Sequence, residues 1–303
     1  MLRIDNALGS DRVLKALTGL SIVEFIDLTA RFEVVLDHRP RPHPAKKRQR
    51  QPGGGRKPRL SSAADKLFFI LFYVKCYPTF DVAGFLFDVH RAQPHRWVHT
   101  LLPVLEQTLG EAVVLPERKI DDVAVFFERF PHVKNLFIDG QERPTQRPKD
   151  PDAQKVHYSG KKKRHTRKNI VVSDEHRRIL FLSPTAAGSQ HDYTLFKESD
   201  FPDQVPDEVC SWVDLGFQGM ATTYPQLNVV IPDKKPKGGE LTEDQKGLNF
   251  LNASVRVVVE HAIGGVKRLN VIAQTYRNRT ETLADQFMVV ACGLWNYHLE
   301  WAE

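Results

Sequence analysis

Three acidic residues sit where divalent-cation chemistry needs them. Asn135-Leu136-Phe137-Ile138-Asp139-Gly140 is an apolar run that closes on an aspartate and a glycine. Cys210-Ser211-Trp212-Val213-Asp214 repeats the design and is followed by Leu215-Gly216-Phe217-Gln218-Gly219. Each run reads as a buried strand, so a sheet fixes the aspartate at its end, and Gly140 lets the backbone turn sharply just past Asp139. A third acid, Glu260, lies in Val255-Arg256-Val257-Val258-Val259-Glu260-His261 at the start of a helical pattern. Magnesium takes only one or two protein carboxylates per ion, so three carboxylates suit a two-metal site. Such ions, about 3.5–4 Å apart, hold the attacking and leaving oxygens of a phosphodiester, and no general-base side chain is required. Taken alone, Asp139-Gly140 reads more readily as a strand followed by an Asp-Gly turn; the second copy of the design is what favours the metal reading.

The glutamate depends on a helix. Val255, Val259, Ala262, Val266 and Leu269 recur at steps of four and three as a buried stripe. Arg256, Glu260 and Lys267 form an adjacent stripe on nearly one face. A solvated Arg–Glu pair would also explain this spacing and would contribute only a few tenths of a kcal/mol. Yet Val257-Val258-Val259 is poor helix material, and Gly264-Gly265 costs roughly 1 kcal/mol per glycine relative to alanine. Packing must therefore hold this helix, and a close backbone approach is expected at the glycine pair.

Around these residues the pattern predicts a mixed sheet with helices on both faces. After the Asp139 strand and a polar stretch from Gln141 to Ser159, the basic cluster Gly160-Lys161-Lys162-Lys163-Arg164-His165-Thr166-Arg167-Lys168 leads into a strand at Ile170-Val171-Val172. A hairpin then returns through Ile179-Leu180-Phe181-Leu182. Gly188-Ser189-Gln190-His191-Asp192 opens a helix through Phe196, the Asp214 strand follows, and Asn228 to Ile231 forms a further short strand. The remainder is helical, from about Thr242 to Ala273 and from Thr282 to Leu299.

The N-terminal part reads as all-helical. Leu14 to Leu36 carries apolar residues at helical spacing, and Ser21 with Glu24 forms a capping box. His38 to Arg59 then holds nine Lys or Arg, no acid and five prolines, with Gly53-Gly54-Gly55. Such a stretch cannot form a helix or a central strand. It is a basic arm, suited to phosphate contact more than to the role of a plain solvated linker. From Leu60 a helix, a short helix (Phe80 to Phe87) and a longer helix from Ala92 follow, the layout of a helix-turn-helix, although small helical bundles share it. Arg91, Gln93, His95 and Arg96 stand at the start of the last helix, where base-reading residues belong.

Length and composition agree with this. The 303 residues are 41% hydrophobic and 26% charged with a formal charge of +6, ordinary for a soluble protein that has room for two domains. Cys76, Cys210 and Cys292 are too scattered for a disulfide framework or a zinc cluster. No apolar stretch reaches the roughly 20 residues that span a bilayer. A cytoplasmic protein without membrane contact is expected. The expected divisions are a helical segment (1–37), the basic arm (38–59), the helix-turn-helix domain (60–115), a connecting helix (116–130) and the catalytic domain (131–303).

Asp139-Gly140, His191-Asp192, Asp214-Leu215-Gly216-Phe217-Gln218-Gly219, and Arg256 and Lys267 around Glu260 together resemble the DDE transposases. The likeness is to bacterial enzymes of the "insertion sequence five" type, akin to the Harbinger transposases, and it extends to the helix-turn-helix. It implies a ribonuclease H-like fold with Asp139, Asp214 and Glu260 as a catalytic triad holding two Mg2+ ions, for which Mn2+ substitutes. It also implies that Arg256 and Lys267 contact transposon-end DNA, with His191 and Asp192 near the site. The charge of Lys161, Lys162, Lys163 and Arg164 suits further phosphate contacts. Double-stranded DNA and a homodimer or higher oligomer are the implied partners. One departure is Ala253, where related enzymes often carry a tyrosine three residues before the arginine. A retained DNA-binding regulator and a stand-alone nuclease are the rival readings.

Overall fold

Fold and packing were read from a computed structural model, which describes residues 2–39, 57–120, 122–199, 201–278 and 280–302. The greater part of the expected basic arm, residues 40–56, lies outside the described residues. The chain divides into two compact units, Met1–Val114 with Leu269–Val271 and Glu300–Glu303, and Leu115–Arg268 with Ile272–Leu299.

The first unit holds α1 (Ile4–Leu8), α2 (Asp11–Thr18), α3 (Ile22–His38), α4 (Ala63–Cys76), α5 (Phe80–Phe87) and α6 (Ala92–Glu111). Side-chain caps set several of these starts. Ser21 with Glu24 and Ser62 with Asp65 each close a capping box, and the Thr79 hydroxyl accepts from the Val82 amide. Each cap satisfies helix N–H groups that have no partner in the first turn. Phe68, Phe69, Phe72, Phe87 and Trp97 interlock, with Phe69 edge-on to Phe87 and Trp97 at centroid separations of 5.2 and 4.9 Å. Aromatic rings thus form the core of the α4–α5–α6 helix-turn-helix.

The second unit opens with α7 (Val123–Arg129) and β1 (Asn135–Pro144). In order follow α8 (Pro151–His157), β2 (Tyr158–Ser159), β3 (Arg164–Ser173), β4 (Ile179–Leu182), β5 (Ala186–Ala187), α9 (Asp192–Lys197), β6 (Cys210–Trp212), α10 (Met220–Thr223), β7 (Asn228–Val230) and α11 (Glu243–Lys267). Then α12 (Asn270–Ala273) leads in sequence to α13 (Glu281–Leu299). The main strands lie in the order β4-β3-β1-β6-β7, with β3 antiparallel to β1 and β4, and β6 parallel to β1 and β7. An antiparallel hairpin sheet extended by two parallel strands is the ribonuclease H-like arrangement.

One sheet face packs Leu136, Ile138, Ile170 and Val172 against Leu195 and Phe196 of α9 and against Phe201 and Phe217. The opposite face carries α11 and α13. There Asn296 of α13 pairs with both the N–H and the C=O of Ile179, each at 2.8 Å, and so docks the helix on a strand edge. Asp285 accepts from Arg118 Nη2 with both oxygens, at 2.9 and 2.8 Å, and from the Thr185 amide and hydroxyl.

Two expectations are corrected. Asp139 does not end its strand, because β1 runs on through Gly140 to Pro144, so Gly140 is not a turn residue. The polar stretch after it is therefore part strand and part helix α8, and the basic run from Arg164 to Lys168 is already in β3. Polar residues are held at these strand positions by partners across the sheet, Glu142 and Thr166 by a hydrogen bond, Glu142 and Lys168 by their charges and Arg143 by a bond to Asn169, which hydrophobic alternation does not reveal.

The glycine pair in α11 resolves into two unlike positions. A Cβ on Gly265 would lie 2.3–2.5 Å from the Trp295 ring, whereas none of the described atoms lies within 4 Å of one on Gly264. Gly265→Ala should lower stability by about 1–3 kcal/mol through forced displacement of the indole. Gly264→Ala should be neutral or raise it by up to about 1 kcal/mol through helix propensity. Urea unfolding of the two variants side by side measures the contrast, and equal midpoints would mean that the α11–α13 contact is not as described.

Candidate active site and nucleic-acid surface

The register of two strands brings the aspartates together. β1 and β6 pair with Phe137 opposite Trp212, so Asp139 and Asp214 each lie two residues beyond a matched pair. Phe137 stacks on Trp212 at 6.2 Å, and Trp212 Nε1 donates to Asn135 Oδ1 at 2.9 Å, which holds that register. Asp214 leaves the sheet as the cap of a tight turn, its Oδ1 accepting from the Gly216 amide at 2.8 Å. Asp139 Oδ1 accepts from the Gly140 amide at 2.8 Å.

The electrostatics are those of crowded, half-desolvated carboxylates. Burial pushes the Asp139 carboxyl up from 3.8 to about 6, and the neighbouring charge of Asp214, with a smaller contribution from Asp192, adds to the rise. The Arg256 guanidinium and the Gly140 amide oppose it. Asp192 lies close by: a Cβ on Gly140 would stand 2.6 Å from the Asp192 Cγ. Glycine is required at 140 for that approach, and this is the physical content of the Asp139-Gly140 pair.

The expected triad is only partly gathered. Asp139 and Asp214 adjoin, with Asp192 and Arg256 beside them, while Glu260 is exposed on α11 and His191 is exposed just before α9. Among the described residues, no three His, Cys, Asp or Glu side chains converge as a ligand set. Of the α11 stripe, it is Arg256 whose charge reaches Asp139; Lys267 is exposed near the helix end. The residues nevertheless fit a hydrated divalent ion. Two hard carboxylates repel each other in a half-buried place, and Gln141, buried on Asp139's face of β1, and Arg256 Nε have polar atoms unpaired among the described residues. Waters on an ion donate, which suits the acceptor Gln141 Oε1, while Arg256 Nε, a donor, suits a phosphate or carboxylate oxygen.

Three residues here escaped sequence reasoning: Gln141, Glu142 and Lys168. Lys168 read as one more charge of a basic surface run. Counting back in twos from buried Ile170 would have turned Lys168 and Thr166 inward.

On the helical unit, the four expected base readers divide. At 100° per residue, Gln93 and Arg96 lie about 60° apart on α6, whereas Arg91 and His95 lie about 40° apart on another side. Gln93 and Arg96 line an open cleft of about 1110 Å³ together with Lys57, Arg59, Lys66 and His90. Arg91 pairs with Asp81 at 3.5 Å, and His95 packs on Phe80 and beside His99. Arg59 closes the cleft's rim by donating to the Phe87 carbonyl at 2.9 Å and pairing with Asp88. On the other unit, Lys161, Lys162, Lys163 and Arg164 are exposed on the turn that enters β3.

Comparison with known proteins agrees with this architecture. The sequence profile of the DDE superfamily endonucleases matches residues 138–296, and that of the helix-turn-helix of the same superfamily matches residues 58–111. The chain belongs to the DDE superfamily endonucleases and carries their N-terminal helix-turn-helix. It is 29% identical over 254 residues to a protein of Microchaete diplosiphon described as a probable transposase for insertion sequence element IS702, covering 84% of this chain and 86% of the relative. No solved structure matches. No described helix is long and apolar enough to cross a membrane.

The raised carboxyl has a sign that can be checked. Folding favours protonated Asp139, so the stability it contributes is present below about pH 4 and lost as pH rises through about 6. The ion-free Asp139→Asn variant should therefore unfold later than the parent at pH 7.5, by up to about 2–3 kcal/mol, and show little difference at pH 4. Thermal unfolding in chelator at both pH values tests this; a destabilised variant at pH 7.5 would show that Asp139 is not under electrostatic strain.

Proposed function

We propose that the protein is the transposase of an insertion sequence. In this reading the helix-turn-helix binds the element's inverted ends, and the α/β unit hydrolyses a phosphodiester at each end and transfers the 3′ ends to target DNA. The observation that carries it is the pair Asp139 and Asp214, set side by side by the β1–β6 register within a DDE endonuclease domain. The name of the Microchaete relative supports the same activity.

Asp139 and Asp214 would hold divalent ions, Mg2+ with Mn2+ as substitute and two per site, and Glu260 would complete the set. Bound there, such ions supply Lewis acidity to the phosphoryl oxygen, a nucleophile from water at neutral pH, and charge for the leaving 3′ oxygen. The protein's part is positional. The sheet register fixes two carboxylates, and the Gly140 amide and the Asp214 turn orient their oxygens. Arg256 stands beside the site with a charge suited to a bridging phosphate. Lys267 lies farther along the same helix stripe and would meet end DNA there. Lys161 to Arg164 would hold phosphates without reading sequence. Gln93 and Arg96 would read base edges from the cleft, and Arg91 and His95, on the other side of α6, would contribute backbone contacts. Two ends require two active sites, so the working form would be a dimer or larger.

Asp139→Asn, Asp214→Asn and Glu260→Gln should each abolish strand cleavage of an end duplex in Mg2+ while leaving its binding intact. Cleavage that survives in Asp214→Asn, or activity in the parent that resists chelator, is the result that sinks the assignment.

Recognition separates from charge. Changing Gln93 or Arg96 to Ala should cost about 1–3 kcal/mol of discrimination between end and random duplexes. Neutralising Lys161 to Arg164 should weaken binding to both alike and flatten the salt dependence by roughly one unit of slope per lost contact. Competition binding at several salt concentrations reads both effects; specificity unchanged by Gln93 and Arg96 would mean that α6 presents its other side.

A further inference from the structure

Lys168 has no place in the reading above, yet it is the most constrained cation near the site. Its side chain is 8% exposed, which for an ammonium is costly unless partners replace water. The partners are present: Nζ donates to the Gln190 carbonyl at 3.0 Å and to Asp192 Oδ1 at 3.0 Å, and stands 4.0 Å from Glu142 Oε2. Glu142 lies directly opposite Lys168 across the β1–β3 ladder and also accepts from the Thr166 hydroxyl. The lysine thereby joins β1, β3 and the residues that open α9. Gly140 is the second sign of this arrangement, because the Asp192 carboxylate rests where any side chain at 140 would have to be.

We infer that Lys168 is a positioning residue of the Asp139–Asp214 centre: its ammonium clamps the Asp192 carboxylate and the start of α9 against the Gly140 backbone and withholds that carboxylate from the bound ion. Asp192 is near enough for its charge to bear on Asp139. Left unpaired, it is a hard-oxygen ligand at the edge of a two-carboxylate site. Paired with Lys168, it contributes shape and little net charge. The inference rests on the reading that Asp139 and Asp214 hold the ion.

The test is Mn2+ binding, followed by the magnetic resonance of free Mn2+, on the full chain and its Asp139→Asn, Lys168→Met, Lys168→Arg, Asp192→Asn and Lys168→Met/Asp192→Asn variants. Cleavage of an end duplex is measured in parallel. Freed from its clamp, Asp192 should tighten Mn2+ binding in Lys168→Met by roughly tenfold, while the cleavage rate falls and the KM for DNA holds. Asp192→Asn leaves the lysine charge opposed only by the more distant Glu142 and should weaken Mn2+ binding. The double variant should return toward the parent, and Lys168→Arg should stay close to it. A lysine with a merely structural role would not move the two single variants in opposite directions. Should Lys168→Met fail to fold, Asp192→Asn against Lys168→Arg still decides: weaker binding in the first alone supports the inference, and no difference overturns it. Shifts of the same sign in Lys168→Met and Asp192→Asn also overturn it, with binding that depends on Asp139 intact. Absence of Asp139-dependent binding in the parent overturns both this inference and the metal reading beneath it.

Discussion

The constraint on which the catalytic unit turns is the confinement of negative charge at the middle of a sheet. Asp139 on β1 and Asp214 just past the end of the parallel β6 come together because Phe137 and Trp212, two residues before them, are matched and stacked. Burial, and after it the repulsion of the neighbouring Asp214, raise the Asp139 carboxyl to about 6. The fold tolerates this because cations reach the cluster from both sheet faces, Lys168 by way of Asp192 and Arg256 from α11. A one-residue slip of β6 would turn Asp214 to the other side of the sheet. The aromatic pair and the Trp212–Asn135 bond thus serve the site as much as the core.

A strained centre needs a stiff frame, and the frame here is polar. Arg143, fully buried two strand positions beyond Gln141, donates to the Ala284 carbonyl at 3.1 Å, to Asn169 Oδ1 at 2.7 Å and to the Thr185 hydroxyl at 3.1 Å. Burial lowers its pKa to about 10, with Asp285 opposing, so it remains charged at neutral pH. Asp285 is in turn tied to Arg118 and Thr185. Such a network contributes little net stability compared with apolar packing, but it has far fewer geometries that satisfy every partner. It fixes how α13 meets β1 and β3. Through Trp295 against Gly265, α13 in turn fixes α11, the helix that carries Arg256 and Glu260.

What the sequence disclosed follows from how local each determinant is. The helix start at Ser21 was legible because a capping box is decided within four residues. The Asp214 strand was legible because its run is short and ends in Gly216 and Gly219. Asp139 was found for a partly mistaken reason: the apolar run ends there, but the strand does not. Glu142, Arg143, Thr166 and Lys168 look like loop residues in one dimension and become strand residues only when paired across the sheet. Gly140 shows the same limit, since the carboxylate that excludes a side chain there comes from a helix 52 positions away. The Gly264-Gly265 pair announced a close approach, and only the structure says that the second glycine makes it.

The standing of Glu260 follows from where α11 is anchored. Its first half buries nothing, and its buried positions are Val259, Ala262, Ile263 and Val266. Glu260 therefore rides on the anchored half: its backbone is placed by neighbours in the core, and only its side chain is at liberty. Arg256, whose charge already acts on Asp139, lies one turn earlier, about 6 Å along the axis and roughly 40° around it. The helix thus presents a cation and an anion in succession along the edge of one site. In the proposed reading, an ion held by Asp139 and Asp214 would attract the Glu260 carboxylate, and a phosphate at the site would engage Arg256. On that reading the third acid would complete the site on loading, whereas Asp139 and Asp214 are already set side by side by the β1–β6 register.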